Sequence, residues 1–151
     1  MDVAYRRAAP GDRDAWIGLR YELWPDCPVE RHRLELEQML RADGIIVFAE
    51  VDRMLVGFAE VSIRHDHVEG TRSAPVPYLE GWYVRSGYRG RGIGSGILGY
   101  VEEWAIGRGF SELASDTDPD NAVSIRLHAQ LGFREVGRSI HFVKPLNRHR
   151  A

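Results

Sequence analysis

A short apolar run that breaks into a basic, glycine-rich loop and then into helical spacing constrains this chain more than any other feature. Residues 78 to 84 are mostly apolar and stop at Ser86-Gly87. Arg89-Gly90-Arg91-Gly92-Ile93-Gly94 follows, and an amphipathic helix begins. The order reads as strand, loop, helix. N–H groups in the first turn of a helix have no intrahelical acceptor and point outward, so such a junction is a socket for a phosphate or pyrophosphate. Glycine at 90, 92 and 94 lets the backbone approach an anion closely, and Arg89 and Arg91 add positive charge. The plain alternative is a glycine-rich turn without a ligand.

The rest of the chain narrows the class. Its 151 residues suit one domain with one core, and 44% are hydrophobic, as in globular proteins. A net charge of -2 offers no basic excess for nucleic acid. The single cysteine, Cys27, excludes an intrachain disulfide and fits a reducing compartment. The N-terminus lacks the apolar core of a secretory signal, and no run has the length of a membrane span, so a soluble cytoplasmic protein is expected.

Residues 3 to 8 read as a strand and 12 to 23 as a helix with Trp16, Leu19 and Leu23 at helical spacing, broken by Pro25 and Pro28. A second helix covers 29 to 42, with Leu36, Met39 and Leu40 inward. Segments 45 to 51 and 54 to 63 form a hairpin about Asp52-Arg53. Residues 64 to 77 are a long polar loop. After the glycine loop, a helix buries Ile97, Leu98, Val101, Trp104 and Ala105 and ends near Arg108-Gly109. Residues 110 to 117 read as a strand. Asp118-Pro119 starts a helix that Gly132 stops, and 133 to 145 hold one or two closing strands. The fold class is α/β (α+β), with a mixed, mostly antiparallel sheet flanked by helices.

Among phosphate loops, a Walker loop is excluded because no lysine follows these glycines. Gly94-Ser95-Gly96-Ile97-Leu98-Gly99 spells a dinucleotide fingerprint, but inside the expected helix. Arg-x-x-Gly-x-Gly remains. A second motif lies downstream, Asn121-Ala122-Val123-Ser124 through His128 to Gly132-Phe133. Together the two resemble the GCN5-related N-acetyltransferase (GNAT) superfamily, and the element order matches it along nearly the full length. The resemblance implies a single GNAT domain over 1–151, with acetyl-CoA as co-substrate and no metal. Its pyrophosphate falls on Arg89, Gly90, Arg91, Gly92, Ile93, Gly94 and Ser95, beside Trp82, Tyr83 and Val84. Asn121 either hydrogen-bonds the pantetheine arm or starts a helix. His128 stands where the family commonly has a tyrosine credited with protonating the thiolate; it is a candidate acid or a packing residue.

Four further stretches, Leu23-Trp24-Pro25, Ser62-Ile63-Arg64-His65-Asp66, Leu79-Glu80-Gly81 and Ala114-Ser115-Asp116-Thr117, resemble the smaller, dimeric aminoglycoside 6'-N-acetyltransferases. The implied reaction is direct acetyl transfer to the 6'-amine, with a homodimer expected. Trp24, Cys27, His67, Glu80 and Asp116 are the candidate acceptor residues, and Asp116 or Glu80 the candidate base. Glu80 sits in an apolar strand, an expensive place for a carboxylate without a purpose or a partner, and an arginine ion pair is its plainer explanation. Trp24 is a sugar platform or a core residue. Asp118 and Asp120 read as helix-start residues. Cys27, Thr71-Arg72 and Gly137 depart from those relatives in the direction of weaker cation binding. His65-Asp66-His67 lacks a cysteine partner and suits a loop over the acceptor better than a zinc site. Two alternatives stay open: acetylation of a polyamine, small metabolite or protein amine, and a non-catalytic acetyl-CoA sensor.

Overall fold

Alternating inward side chains over two adjacent strands build the centre of the molecule. In the computed structural model, which describes residues 1–148, β2 (Gly44–Val51) and β3 (Met54–Arg64) pair antiparallel about a tight turn. The last three positions of the expected 1–151 domain lie outside the described residues. Asp52 and Arg53 take φ of 50° and 65°, the left-handed pair that lets a two-residue turn follow strand twist. β1 (Ala4–Arg7) joins β2, and β4 (Val76–Val84) joins β3, both antiparallel. β5 (Ala114–Ser115) adds a parallel edge, giving the order β1-β2-β3-β4-β5. The expected mixed, mostly antiparallel sheet is the one observed.

Two helices, α1 (Arg13–Leu23) and α2 (Val29–Arg41), cover one face. Trp16, Leu19 and Leu36 meet Ile46, Phe48 and Phe58 in a sealed cluster. Each such side chain stabilises the fold by about 1.5–3 kcal/mol over an exposed one. The alternate residues of the strands face α3 (Ile93–Gly107), whose Ile97 sits against Gly57. Gly57 is small by necessity: a Cβ would lie 2.9 Å from the Tyr83 carbonyl.

Several boundaries differ from the sequence expectation. Leu40 is exposed, because α2 turns the row His32, Leu36, Met39 inward and Leu40 falls off it. The strand expected over 110 to 117 shrinks to Ala114–Ser115, the two residues of that segment paired with β4.

The described chain divides into two compact units, Met1–Asp116 and the remainder from Thr117. In the second, α4 (Ala122–Gln130) starts later than Asp118-Pro119 implies. Asp118 instead accepts from the Asp120 N–H at 2.8 Å in a local turn, and Asn121 caps the helix by accepting from the Ser124 N–H at 3.0 Å. Residues 133 to 147 carry neither helix nor strand, in place of the expected closing strands. Extended chain becomes strand only where a second backbone edge satisfies its polar groups.

Candidate active site

The end of β4 and the start of α3 form the first part of the site. A 3-10 turn, Ser86–Tyr88, redirects the chain after Val84. Gly90 and Gly92 have φ of 76° and 79°, where a side chain would strain the backbone. Gly92 is the N-cap of α3, and no side chain caps it. Gly96 donates to the Gly92 carbonyl at 2.9 Å; among the described residues, the N–H groups of residues 90 to 95 find no acceptor. Trp82 ties the strand to the helix start by donating to the Gly94 carbonyl at 3.1 Å. Arg89 donates to the Val84 carbonyl at 2.8 Å, and Arg91 lies 5.8 Å from the Tyr88 ring centroid, both on the exposed rim. A row of outward donors with two flanking cations fits a pyrophosphate.

Next to this loop the sheet opens. β5 pairs with Tyr78 and Leu79 and then ends, while β4 continues to Val84. Among the described residues, that edge of β4 beyond Leu79 has no strand partner. On the other edge, Gly81 pairs with Glu60 and Leu79 with Val61, leaving Glu80 as the extra residue of a bulge. A bulge bends its strand and re-aims its side chain. Glu80 thereby reaches Ser62 at 3.1 Å and Arg64 Nη2 at 2.6 Å, an ion pair with side chains 25% and 44% exposed respectively. Asp116 follows β5, and its Oδ2 accepts from the Tyr78 hydroxyl. Arg64 also lies over the Tyr78 ring, 3.4 Å from its centroid. Burial holds the Tyr78 phenol above its ordinary range, with the Asp116 hydrogen bond adding to it.

The third part is a pocket of about 570 Å³ lined by Trp24, Cys27, Arg31, His32 and Glu35. Trp24 closes α1 and brings its ring against β4 because position 81 is glycine; a Cβ there would sit 2.6 Å from its ring. A buried cation supports this wall. Arg20 donates to Glu60 at 2.8 and 3.0 Å, to Glu35 at 2.5 Å and to His32 Nδ1 at 3.3 Å, and stacks 4.9 Å from the Trp24 ring centroid. Trp16 adds a hydrogen bond to Glu60 at 2.9 Å. Burial pushes the Glu60 carboxyl up, against the pull of Arg20 and Trp16. Burial also acts to raise Glu35, but Arg20 and Arg31 outweigh it and hold that carboxyl below its ordinary range.

Cys27, His32 and Glu35 place ligand atoms within 4.8 Å of one another, yet the donor set does not suit a metal. An arginine N–H only donates, so His32 Nδ1 must accept, and Nε2 carries the proton toward the Trp24 carbonyl at 3.1 Å. Neither imidazole nitrogen keeps a lone pair for an ion.

The structure thus brings Glu80 and Asp116 to one fork and Trp24 and Cys27 to one pocket, with Trp24 touching Gly81 beside Glu80. His67 is exposed in the loop before β4. That loop is anchored where Glu112 accepts from the Arg72 and Ser73 N–H groups, both at 2.8 Å. In the second unit, His128 Nδ1 donates to the Ser124 carbonyl at 2.7 Å, and its ring meets Phe133 edge-on at 5.0 Å. The role the structure gives Asn121 is the helix cap. Sequence reasoning missed Arg20, His32, Glu60, Arg64 and Tyr78. The signal used for Glu80, a carboxylate in an apolar strand, applied equally to Glu60.

The profile of the acetyltransferase (GNAT) family matches residues 13–133. The aminoglycoside N(6')-acetyltransferase type 1 of Salmonella typhimurium is 42% identical over 132 residues, 87% of this chain and 91% of the relative. The enzyme of the same name from Stenotrophomonas maltophilia is 43% identical over 145 residues, 93% and 92% of the two chains. The structure of AAC(6')-Iy in complex with the bisubstrate analogue CoA-S-monomethyl-acetylneamine superposes with a TM-score of 0.90 at 37% identity, covering 97% of this chain and 100% of that one.

Proposed function

Because the chain belongs to the acetyltransferase (GNAT) family, we propose that it moves acetyl from acetyl-CoA to the 6'-amino group of aminoglycoside antibiotics. The observation that carries this reading is the fork at β4. The strand that runs into the anion-binding loop also holds Glu80 on a bulge and, through Tyr78, the carboxylate of Asp116. A polycation needs such local acidity in a chain of net charge -2.

The 6'-ammonium gives a proton to Asp116, whose exposed carboxylate has one oxygen engaged by Tyr78. Glu80, already balanced by Arg64, anchors the acceptor rather than taking the proton. The amine nitrogen forms its bond to the thioester carbon, the C–S bond breaks, and the CoA thiolate takes up the second proton the nitrogen sheds. Backbone N–H groups on the unpartnered edge of β4 near Tyr83 and Val84 meet the charge that develops on the carbonyl oxygen. The loop of residues 90 to 95 and Arg89 hold the pyrophosphate. Trp24 and the pocket by Cys27 present an apolar wall to a sugar ring. The family resemblance adds His67 as a candidate for the acceptor and Asn121 and His128 as candidates for the pantetheine and thiol.

The domain is read as one catalytic unit over 1–151, in the cytoplasm, where the lone Cys27 stays reduced; no described helix is long and apolar enough to cross a membrane. A homodimer is part of the same reading. Ile140, Phe142, Val143 and Leu146 are 81–95% exposed, apolar surface of the kind that marks an interface. Sedimentation of the purified protein should give twice the chain mass; a monomer removes the dimer. The decisive assay is acetylation of kanamycin and tobramycin beside a panel of polyamines and peptide amines. Turnover confined to the panel, or acetyl-CoA binding with no turnover at all, overturns the antibiotic reading. Asp116→Asn should lower kcat by about 10²–10⁴-fold, the span of general base catalysis.

A further inference from the structure

Tyr78 is held on every side. Its backbone pairs with Ser62 of β3 and Ala114 of β5, Arg64 lies 3.4 Å from its ring centroid, and it is only 7% exposed. Arg64 is itself pinned by both oxygens of Glu80, at 2.6 and 2.9 Å from Nη2. The one polar atom of Tyr78 points at Asp116 Oδ2. Asp116 is exposed and lies just past the last paired residue of β5, so little else fixes its carboxylate; among the described residues no donor reaches Oδ1. The charged groups that act on the Tyr78 hydroxyl are Asp116, Arg64 and Glu80.

We propose that Tyr78 is a positioning residue for Asp116, its hydroxyl holding one carboxylate oxygen so that the other faces the acceptor amine. This rests on the reading above, in which Asp116 meets the amine. The phenol, fixed between β3 and β5, therefore orients the base. No charge is added at the fork, which leaves the local acidity intact for a polycation.

Tyr78→Phe deletes the oxygen and keeps the ring and its stack on Arg64. A crystal structure of the variant needs no substrate. In Tyr78→Phe the Asp116 carboxylate should turn away from its wild-type orientation while Arg64 stays in place. The kcat for tobramycin should fall about ten- to a hundredfold, with KM for acetyl-CoA unchanged. Added to Asp116→Asn, Tyr78→Phe should alter kcat/KM by less than about twofold, since its route is gone. Should Tyr78→Phe not fold, 3-fluorotyrosine installed at position 78 keeps the ring, and its fluorine signal should move on Asp116→Ala. An unmoved carboxylate, an unmoved kcat, an unmoved fluorine signal, or losses that add in the double variant each overturn the proposal. A carboxylate that turns while the wild type acetylates no amine overturns the functional reading and leaves the hydroxyl–carboxylate link standing.

Discussion

Strand β3 contributes to two arginine–carboxylate pairs that are opposites in setting. Glu60 meets Arg20 at 2.8 Å with both side chains 3% exposed; four residues on, Arg64 meets Glu80 at 2.6 Å with the two side chains 44% and 25% exposed. The groups are the same and the distances nearly so. At the first pair no water relieves either charge, and every polar atom is therefore matched. Glu60 takes Trp16 as well, and Arg20 takes His32 and Glu35. At the second, solvent screens the pair, which contributes about 0–1 kcal/mol to stability. Its carboxylate remains available to a second cation. Burial, more than residue type, separates a pair that holds the fold from one that serves a site.

The largest effect expected is at the buried pair. Glu60→Ala strips Arg20 of its sealed partner, leaving only the partly exposed Glu35, and should remove about 3–5 kcal/mol of stability in urea titrations. Replacing both partners by apolar residues, Arg20→Met with Glu60→Leu, should recover much of that loss. A single Glu60→Ala within about 1 kcal/mol of wild type would break the distinction.

Glu80→Gln should behave in the reverse sense, with a stability change below about 1 kcal/mol but KM for the acceptor raised about tenfold and KM for acetyl-CoA unmoved. A Glu80 variant as unstable as Glu60→Ala would place both pairs in the fold.

The smallest effect is in pH. Glu35, beside Arg20 and Arg31, and Asp12, beside Arg6, are held below the ordinary carboxylate range. Their contributions are therefore complete above the unfolded-chain values and are lost as pH falls through the lower folded ones. Glu60 is pushed up and works in the opposite direction, its stability deficit easing as pH falls through its raised value. Thermal midpoints should decline modestly between about pH 5 and pH 3 as the first two groups protonate. A midpoint that rises over this range would mean that Glu60 dominates.

Much was legible in the residues alone. Helical and alternating spacing placed α1, α2, β2, β3, β4 and α3 within a few positions, because each buries a periodic apolar face. The loop from Arg89 to Gly94 was readable because glycine and helix-start chemistry are local. The span of β5 was misread because two paired residues leave almost no period, and the later start of α4 because Asp118 and Asn121 are both good caps. The sequence leaves Trp24 open between core and sugar platform, and in the structure it is both a packed ring and a pocket wall.

Local spacing and composition specify the order of the elements, the anion-binding turn and the supply of carboxylates near the sheet. Packing in three dimensions settles which carboxylate is sealed and which is open, that Glu80 rides a bulge, and that Tyr78 holds Asp116. Those outcomes depend on strand register and on the solvent left around a charge. Both are set by residues distant along the chain: Arg20 from Glu60, Tyr78 from Asp116.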